Sequence, residues 1–160
     1  MDNFDPRITV ATVVVRDGRY LLVEECPHGE AVLNQPAGHV EANESLVEAA
    51  VRETLEETGY RVEPTALVGV YVWTAPANGA TYFRFCFAAD IVTQVDGYRT
   101  DPDIDAHHWY SLDELRERLP MHRSPLVLRC VEDHAAGKRF PLDMIFDADA
   151  MGRTAGTGRA

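Results

Sequence analysis

Apolar and polar positions along the chain alternate first with a strand period, then with a helix period, then mix the two. Ile8 to Val15 is rich in β-branched residues and predicts a strand. Asp17-Gly18 marks a tight turn and Tyr20 to Glu24 returns, so the chain opens with a β-hairpin. Cys26 to Val32, with Pro27 and Gly29, predicts a loop, and Leu33 to Gly38 a short extended piece interrupted by Pro36. Pro64 predicts the end of a connector. Ala66 to Thr74 and Thr81 to Val92 then flank an Asn78-Gly79 turn and predict a second hairpin. A polar loop, Asp96 to Asp105, leads to a short strand at His107 to Tyr110.

Helical spacing governs the rest. Ser45 with Glu48 three residues on forms a capping box, and Gly59 stands where a helix ends in a left-handed residue. Within that helix, Val47, Val51, Thr54 and Leu55 are expected to face the core, with Glu53, Glu56 and Glu57 on the opposite side. Ser111 and Glu114 cap a short helix to Leu119, stopped by Pro120. Ser124 and Pro125 open another, which carries Leu126, Val127, Cys130 and Val131 and stops at Gly137. Phe140 to Phe146 is expected to close against the core. No repeat or linker divides the chain, so residues 1–146 are expected to form one domain and 147–160, with little to bury, a flexible tail. Strands around a central helix, with more helices late, predict an α+β domain whose mixed sheet lies between helices. Periodicity does not give the strand order.

Composition narrows the chemistry. Fifteen basic against 26 acidic residues give a net charge of −11, which speaks against non-specific nucleic-acid binding. Cys26, Cys86 and Cys130 are far apart and form no metal or redox motif; they are expected to be reduced thiols, two of them in the core. The charged N-terminus lacks a signal-peptide pattern, and no run approaches the ~18 apolar residues of a membrane span, so a cytoplasmic chain is expected.

The acids are not evenly spread. From Glu41 to Glu57 there are six acids and one base, Arg52. Glu53, Glu56 and Glu57 fall at i, i+3 and i+4, where like charges destabilise a helix by roughly 0.2–0.5 kcal/mol per pair. A divalent cation would relieve that repulsion, and Mg²⁺ prefers carboxylate oxygens while keeping waters for a phosphate ligand. Gly38, before this helix, lets backbone approach a ligand closely and offers a carbonyl to a metal; locally, a plain turn explains it equally well. Arg84 alternates with Phe83 and Phe85 and points away from them, as a phosphate-binding arginine or as an exposed strand residue. Trp73, Tyr82 and Phe83 could stack on a pyrimidine ring or simply pack the core.

The string from Gly38 to Tyr60 matches the Nudix box, Gly-x5-Glu-x7-Arg-Glu-U-x-Glu-Glu-x-Gly-U with U bulky and apolar. Gly38, Glu44, Arg52, Glu53, Glu56, Glu57 and Gly59 all fall at their spacing, and only Thr54 and Tyr60 depart, at the U positions. The chain therefore resembles a Nudix hydrolase. The resemblance implies an α/β/α sandwich and Mg²⁺- or Mn²⁺-dependent hydrolysis of nucleoside diphosphates linked to another moiety. It implies Glu56 and Glu57 as metal ligands, Glu53 as ligand or general base, and Arg52 as the partner of Glu44 or Glu53. It also implies one further acid from the late loop, Asp103 in preference to Asp105. The catalytic set expected is then Glu53, Glu57 and Arg52, and the metal set Gly38, Glu53, Glu56, Glu57 and Asp103. Substrate contacts are expected from Arg84, Trp73 and Tyr82. Flanking pieces at 9–25, 33–50, 73–76, 103–109, 123–130 and 137–145 resemble a bacterial phosphatase branch of the family. That branch implies a monomer acting on hydroxymethylpyrimidine pyrophosphate and on nucleoside di- and triphosphates, with release of orthophosphate. The alternatives are a narrower pyrophosphohydrolase, of an oxidised nucleotide or a dinucleoside polyphosphate, and a nucleotide-binding module without catalysis. Such modules usually lose box glutamates, and this chain keeps them.

Overall fold

The computed structural model of the chain describes residues 3–150. The first strand, β1 (Arg7–Arg16), is shared by two halves of one sheet. Near its start it pairs antiparallel with β4 (Ala37–His39), and at its end with β2 (Arg19–Glu25). The β1–β2 turn holds Asp17 at φ 52° and Gly18 at φ 72°, the mirror-image turn an Asp-Gly pair favours. On its other edge β1 runs parallel to β6 (Thr81–Gln94), which pairs antiparallel with β5 (Tyr60–Thr74). β2 carries β3 (Val32–Asn34) and β7 (Ile104–Tyr110). The sheet is mixed, as expected.

Two strands are longer than the sequence suggests. β5 starts at Tyr60 and continues through Pro64, which was expected to end a connector. A proline fits there because β5 is an edge strand whose register shifts between Pro64 and Ala66. β7 starts at Ile104, inside the expected loop.

Helices cover both faces. α1 (Leu46–Thr58) has its Ser45–Glu48 capping box, and its Gly59 cap sits at φ 74°. It packs Ala49 and Ala50 over Val10, Leu67 and Phe87. On the opposite face, α2 (Leu112–Glu117) and α3 (Leu126–Ala135) place Leu115, Val127, Cys130 and Val131 against Ala11, Val13, Leu22 and Cys86. Helices on both sides of a sheet make the expected sandwich. Cys86 and Cys130 are buried and Cys26 is exposed. The Phe140–Phe146 segment closes on the core through the Phe140 backbone, which exchanges two 2.8 Å hydrogen bonds with core residue Leu67, but the rings of Phe140 and Phe146 do not. They are exposed, and only the side chains of Leu142 and Ile145 from that segment pack against it. Asp147 accepts hydrogen bonds from the backbone of Asp149 and Ala150; the rest of the expected tail, 151–160, lies outside the described residues.

Candidate active site

The buried face of α1 agrees with the expected one at Thr54, and Val47 packs against the core, but Glu57 is buried where it was expected to turn away. Ala49, Ala50, Thr54, Glu57 and Thr58 are the buried residues, while Val47, Val51 and Leu55 are half-buried. Small side chains let the helix approach β1 closely enough for the Thr54 and Thr12 hydroxyls to meet at 2.8 Å. That approach carries Glu57 under the sheet edge, where it is 6% exposed. Glu53, one turn earlier, is packed against Gly38 of β4. A Cβ built on Gly38 would fall inside the Glu53 carboxyl group. Space, not backbone strain, requires glycine here.

Glu57 Oε2 accepts the Ala37 N–H at 3.1 Å. Burial pushes its carboxyl up to about 9, opposed by the Ala37 bond and assisted by the charges of Glu25, Glu53 and Asp101. Burial also raises Glu53, against the hydrogen bond and charge of Arg52. Glu44 is held low by the Arg52 hydrogen bonds.

Arg52 organises the acids. Its Nε and Nη2 donate to the two oxygens of Glu44 at 2.9 and 2.7 Å. Its Nη1 donates to Glu53 at 2.8 Å and Glu56 at 3.2 Å, and Nη2 also reaches the His39 carbonyl at 3.0 Å. This forked grip fixes one guanidinium among three carboxylates, and both expected pairings, with Glu44 and with Glu53, are present.

Two acids escaped the sequence argument. Glu25 ends β2 on the same side as Leu21, whose packing partners include Tyr60 next to the α1 terminus. Strand alternation from Leu21 through Val23 was the available signal. Asp101 is strapped to α1 by its N–H, which donates to the Glu56 carbonyl at 2.8 Å. Asp103 is exposed, and its N–H donates to Asp101 Oδ1 at 2.9 Å. It is Asp101 whose charge bears on Glu57.

The expected substrate contacts lie on the α3 side of the sheet. Trp73 and Tyr82 stack across β5 and β6, with ring centroids 6.1 Å apart. Arg84, on the same face, is only 8% exposed. Its Nη1 donates to Gln35 at 2.9 Å and its Nη2 to Asn34 at 3.1 Å, while Nε has no partner. Gln35 in turn donates to the Val127 carbonyl at 2.6 Å, tying this group to α3.

The acidic edge suits a hard cation. Its side-chain groups are carboxylates, and a deeply buried acid crowded by other acids is what a divalent ion compensates. Among the described residues no three acid, histidine or cysteine side chains stand close enough to hold a metal ion together. A coordination shell completed by water and substrate phosphate is the habit of Mg²⁺. No helix of the described residues is long and apolar enough to cross a membrane.

Known proteins resemble this chain in sequence and fold. The NUDIX domain family matches residues 5–130. The phosphatase NudJ of Escherichia coli strain K12 is 42% identical over 144 residues, covering 90% of this chain and 93% of that protein. A NUDIX hydrolase from Nitrosomonas europaea superposes with a TM-score of 0.88 at 48% identity, over 91% of this chain and 99% of the other. A MutT NUDIX hydrolase from Burkholderia pseudomallei gives a TM-score of 0.68 at 26% identity, over 81% and 98%. With the family matched over most of its length, three of the box glutamates gathered on one helix and hydrolases among its near relatives, the chain belongs to the Nudix family and is a Nudix hydrolase.

Proposed function

We propose that the chain is a Mg²⁺-dependent phosphatase of small organic pyrophosphates and nucleoside di- and triphosphates, releasing orthophosphate. Hydroxymethylpyrimidine pyrophosphate is among its substrates, and Mn²⁺ can replace Mg²⁺. The carrying observation is Glu57, a buried carboxyl surrounded by Glu25, Glu53 and Asp101 and supported by a single backbone N–H. The 42% identity to a phosphatase, over nearly the full length of both chains, supports phosphate release.

A bound divalent ion would neutralise phosphate charge and lower the pKa of a water at the attacked phosphorus. Glu53, Glu56, Glu57 and the Gly38 carbonyl would hold it, with an acid from the 101–103 loop. Arg52 keeps Glu53 and Glu56 aimed by clamping them to Glu44. Glu53 has a second role open to it: burial raises its carboxyl, which brings it closer to working pH as a base for the attacking water. Tight packing on Gly38 fixes where that base can stand. Attack on phosphorus needs positioning and charge compensation more than covalent chemistry, and this rigid edge supplies positioning.

A panel of di- and triphosphates assayed with Mg²⁺ and with chelator, following both phosphate products, tests the proposal. Orthophosphate from a nucleoside triphosphate is expected, only when metal is present. Pyrophosphate as the product would favour the narrower pyrophosphohydrolase, and no turnover at all would favour a binding module.

A further inference from the structure

A cavity of about 540 Å³ opens on the α3 side of the sheet, with Trp73, His122, Arg123, Ser124, Leu128 and Arg129 in its walls. Small-molecule sites commonly enclose roughly 300–1,000 Å³, so a nucleoside or a single heterocycle fits. Glu53, Glu56 and Glu57 take no part in those walls. Arg123 connects the two places. Its side chain lines the cavity and pairs with Glu25, one of the acids whose charge bears on Glu57.

The backbone of Arg123 is anchored while its side chain is not. Its N–H donates to the Leu33 carbonyl at 2.9 Å, and His122 beside it bridges to Leu33. The Arg123 side chain is 47% exposed and that of Glu25 15%, so solvent reaches the arginine's half of the pair and leaves it room to turn. Arg84 differs. It is buried, and moving it would break its bonds to Asn34 and Gln35. Arg129, the other cavity arginine, pairs with Asp133 on its own helix and not with an acid whose charge bears on Glu57.

We propose that Arg123 is a substrate-positioning residue. It leaves Glu25 and takes a phosphate oxygen of an organic diphosphate whose ring lies in the cavity against Trp73, so that the phosphate chain points to the acidic edge. The inference rests on the hydrolase reading above. The forked donors of a guanidinium match carboxylate and phosphate alike, so the exchange needs only a side-chain rotation.

Steady-state kinetics with Mg²⁺ on two substrates, a nucleoside diphosphate and ring-free methyl diphosphate, test it. Arg123→Ala should raise KM about tenfold or more on both, with kcat changed by less than about twofold, and Arg123→Lys should recover part of the loss. Trp73→Ala should raise KM on the nucleoside diphosphate alone. An unchanged KM in Arg123→Ala, or a fall in kcat at constant KM, overturns the assignment. Equal losses on both substrates in Trp73→Ala overturn the placement of the ring. Should Arg123→Ala fail to fold, Arg123→Gln takes its place, with the same two outcomes. If the parent cleaves neither substrate, the hydrolase proposal fails on its own. Calorimetric binding of a methylene-bridged nucleoside diphosphate then decides the present inference. Equal affinity in parent and Arg123→Gln would end it, and a tenfold loss would sustain it.

Discussion

Ala37 gives its backbone N–H to Glu57 Oε2 at 3.1 Å, and among the described residues this is the only hydrogen bond that buried carboxyl receives. One neutral donor does not compensate a buried charge in an environment that already holds Glu25, Glu53 and Asp101. At neutral pH that carboxyl, pushed up to about 9, therefore holds a proton that the unfolded chain releases, and this tension persists until a cation takes the proton's place.

Removing that acid, and with it the proton uptake that folding requires, should stabilise the metal-free protein. In chelator at pH 8, Glu57→Gln is expected to melt several degrees above the parent, the usual scale for about 1 kcal/mol in a domain of this size. With millimolar Mg²⁺ the order should reverse, because only the parent gains fully from binding. A thermal denaturation series with and without metal checks both halves. A variant less stable than the parent in chelator would contradict the tension described here.

Gly38 should tolerate no side chain. In Gly38→Ala the Glu53 carboxyl must move away from the new methyl group. A displacement near 1 Å at a reacting centre costs about 100-fold in rate. The expected result is a loss of that order in kcat/KM, with a far-ultraviolet circular dichroism spectrum like the parent's. Parental activity would show that Glu53 does not need its present position.

Arg52 acts through the acids it clamps. Arg52→Lys keeps the charge but cannot hold both oxygens of Glu44 while also reaching Glu53 and Glu56. Losing the fork should cost about 2 kcal/mol of positioning, seen as a roughly 30-fold fall in kcat with KM for the substrate little changed. Single-turnover rates at saturating substrate would check this. A pure KM effect would instead mean that Arg52 contacts substrate.

His134 should make the fold acid-sensitive. It stands edge-on to Tyr20, takes a hydrogen bond from Arg139 on Nε2 at 2.8 Å, and has no partner for Nδ1. Burial, with the Arg139 charge, lowers it to about 4 from an ordinary value of 6.5. Between those values the unfolded chain binds a proton that the folded chain does not. Stability is thus full above about pH 6.5 and declines as pH falls towards 4. Urea midpoints at pH 7 and pH 5 should differ more in the parent than in His134→Phe. An identical decline in both would assign the acid sensitivity elsewhere.

Local signals in the sequence reach far into this molecule. The Asp17-Gly18 turn, the Ser45 and Gly59 caps and the acid spacing of α1 are all present where the residues place them. Burial was less legible. Val47, Val51 and Leu55 look like a core stripe, yet Ala49 and Ala50 set how closely α1 meets β1, and that approach buries Glu57. Glu25 and Asp101 come to the acidic edge through β2 pairing and a loop strapped to the helix end, neither of which local periodicity encodes. Arg84 likewise finds Asn34 and Gln35 some fifty residues away, across a parallel strand pairing that hydrophobic pattern alone does not specify.

We propose that the Glu53–Glu57 surface of α1 holds a divalent ion. Titration calorimetry of Mg²⁺ into the metal-free parent and Glu57→Gln at pH 8 tests it without reference to any substrate. The parent should bind with proton release, and the variant should lose about 10–100-fold in affinity, the scale known for disturbing even supporting groups around a metal. Equal binding by both proteins, or none by the parent, would contradict the claim.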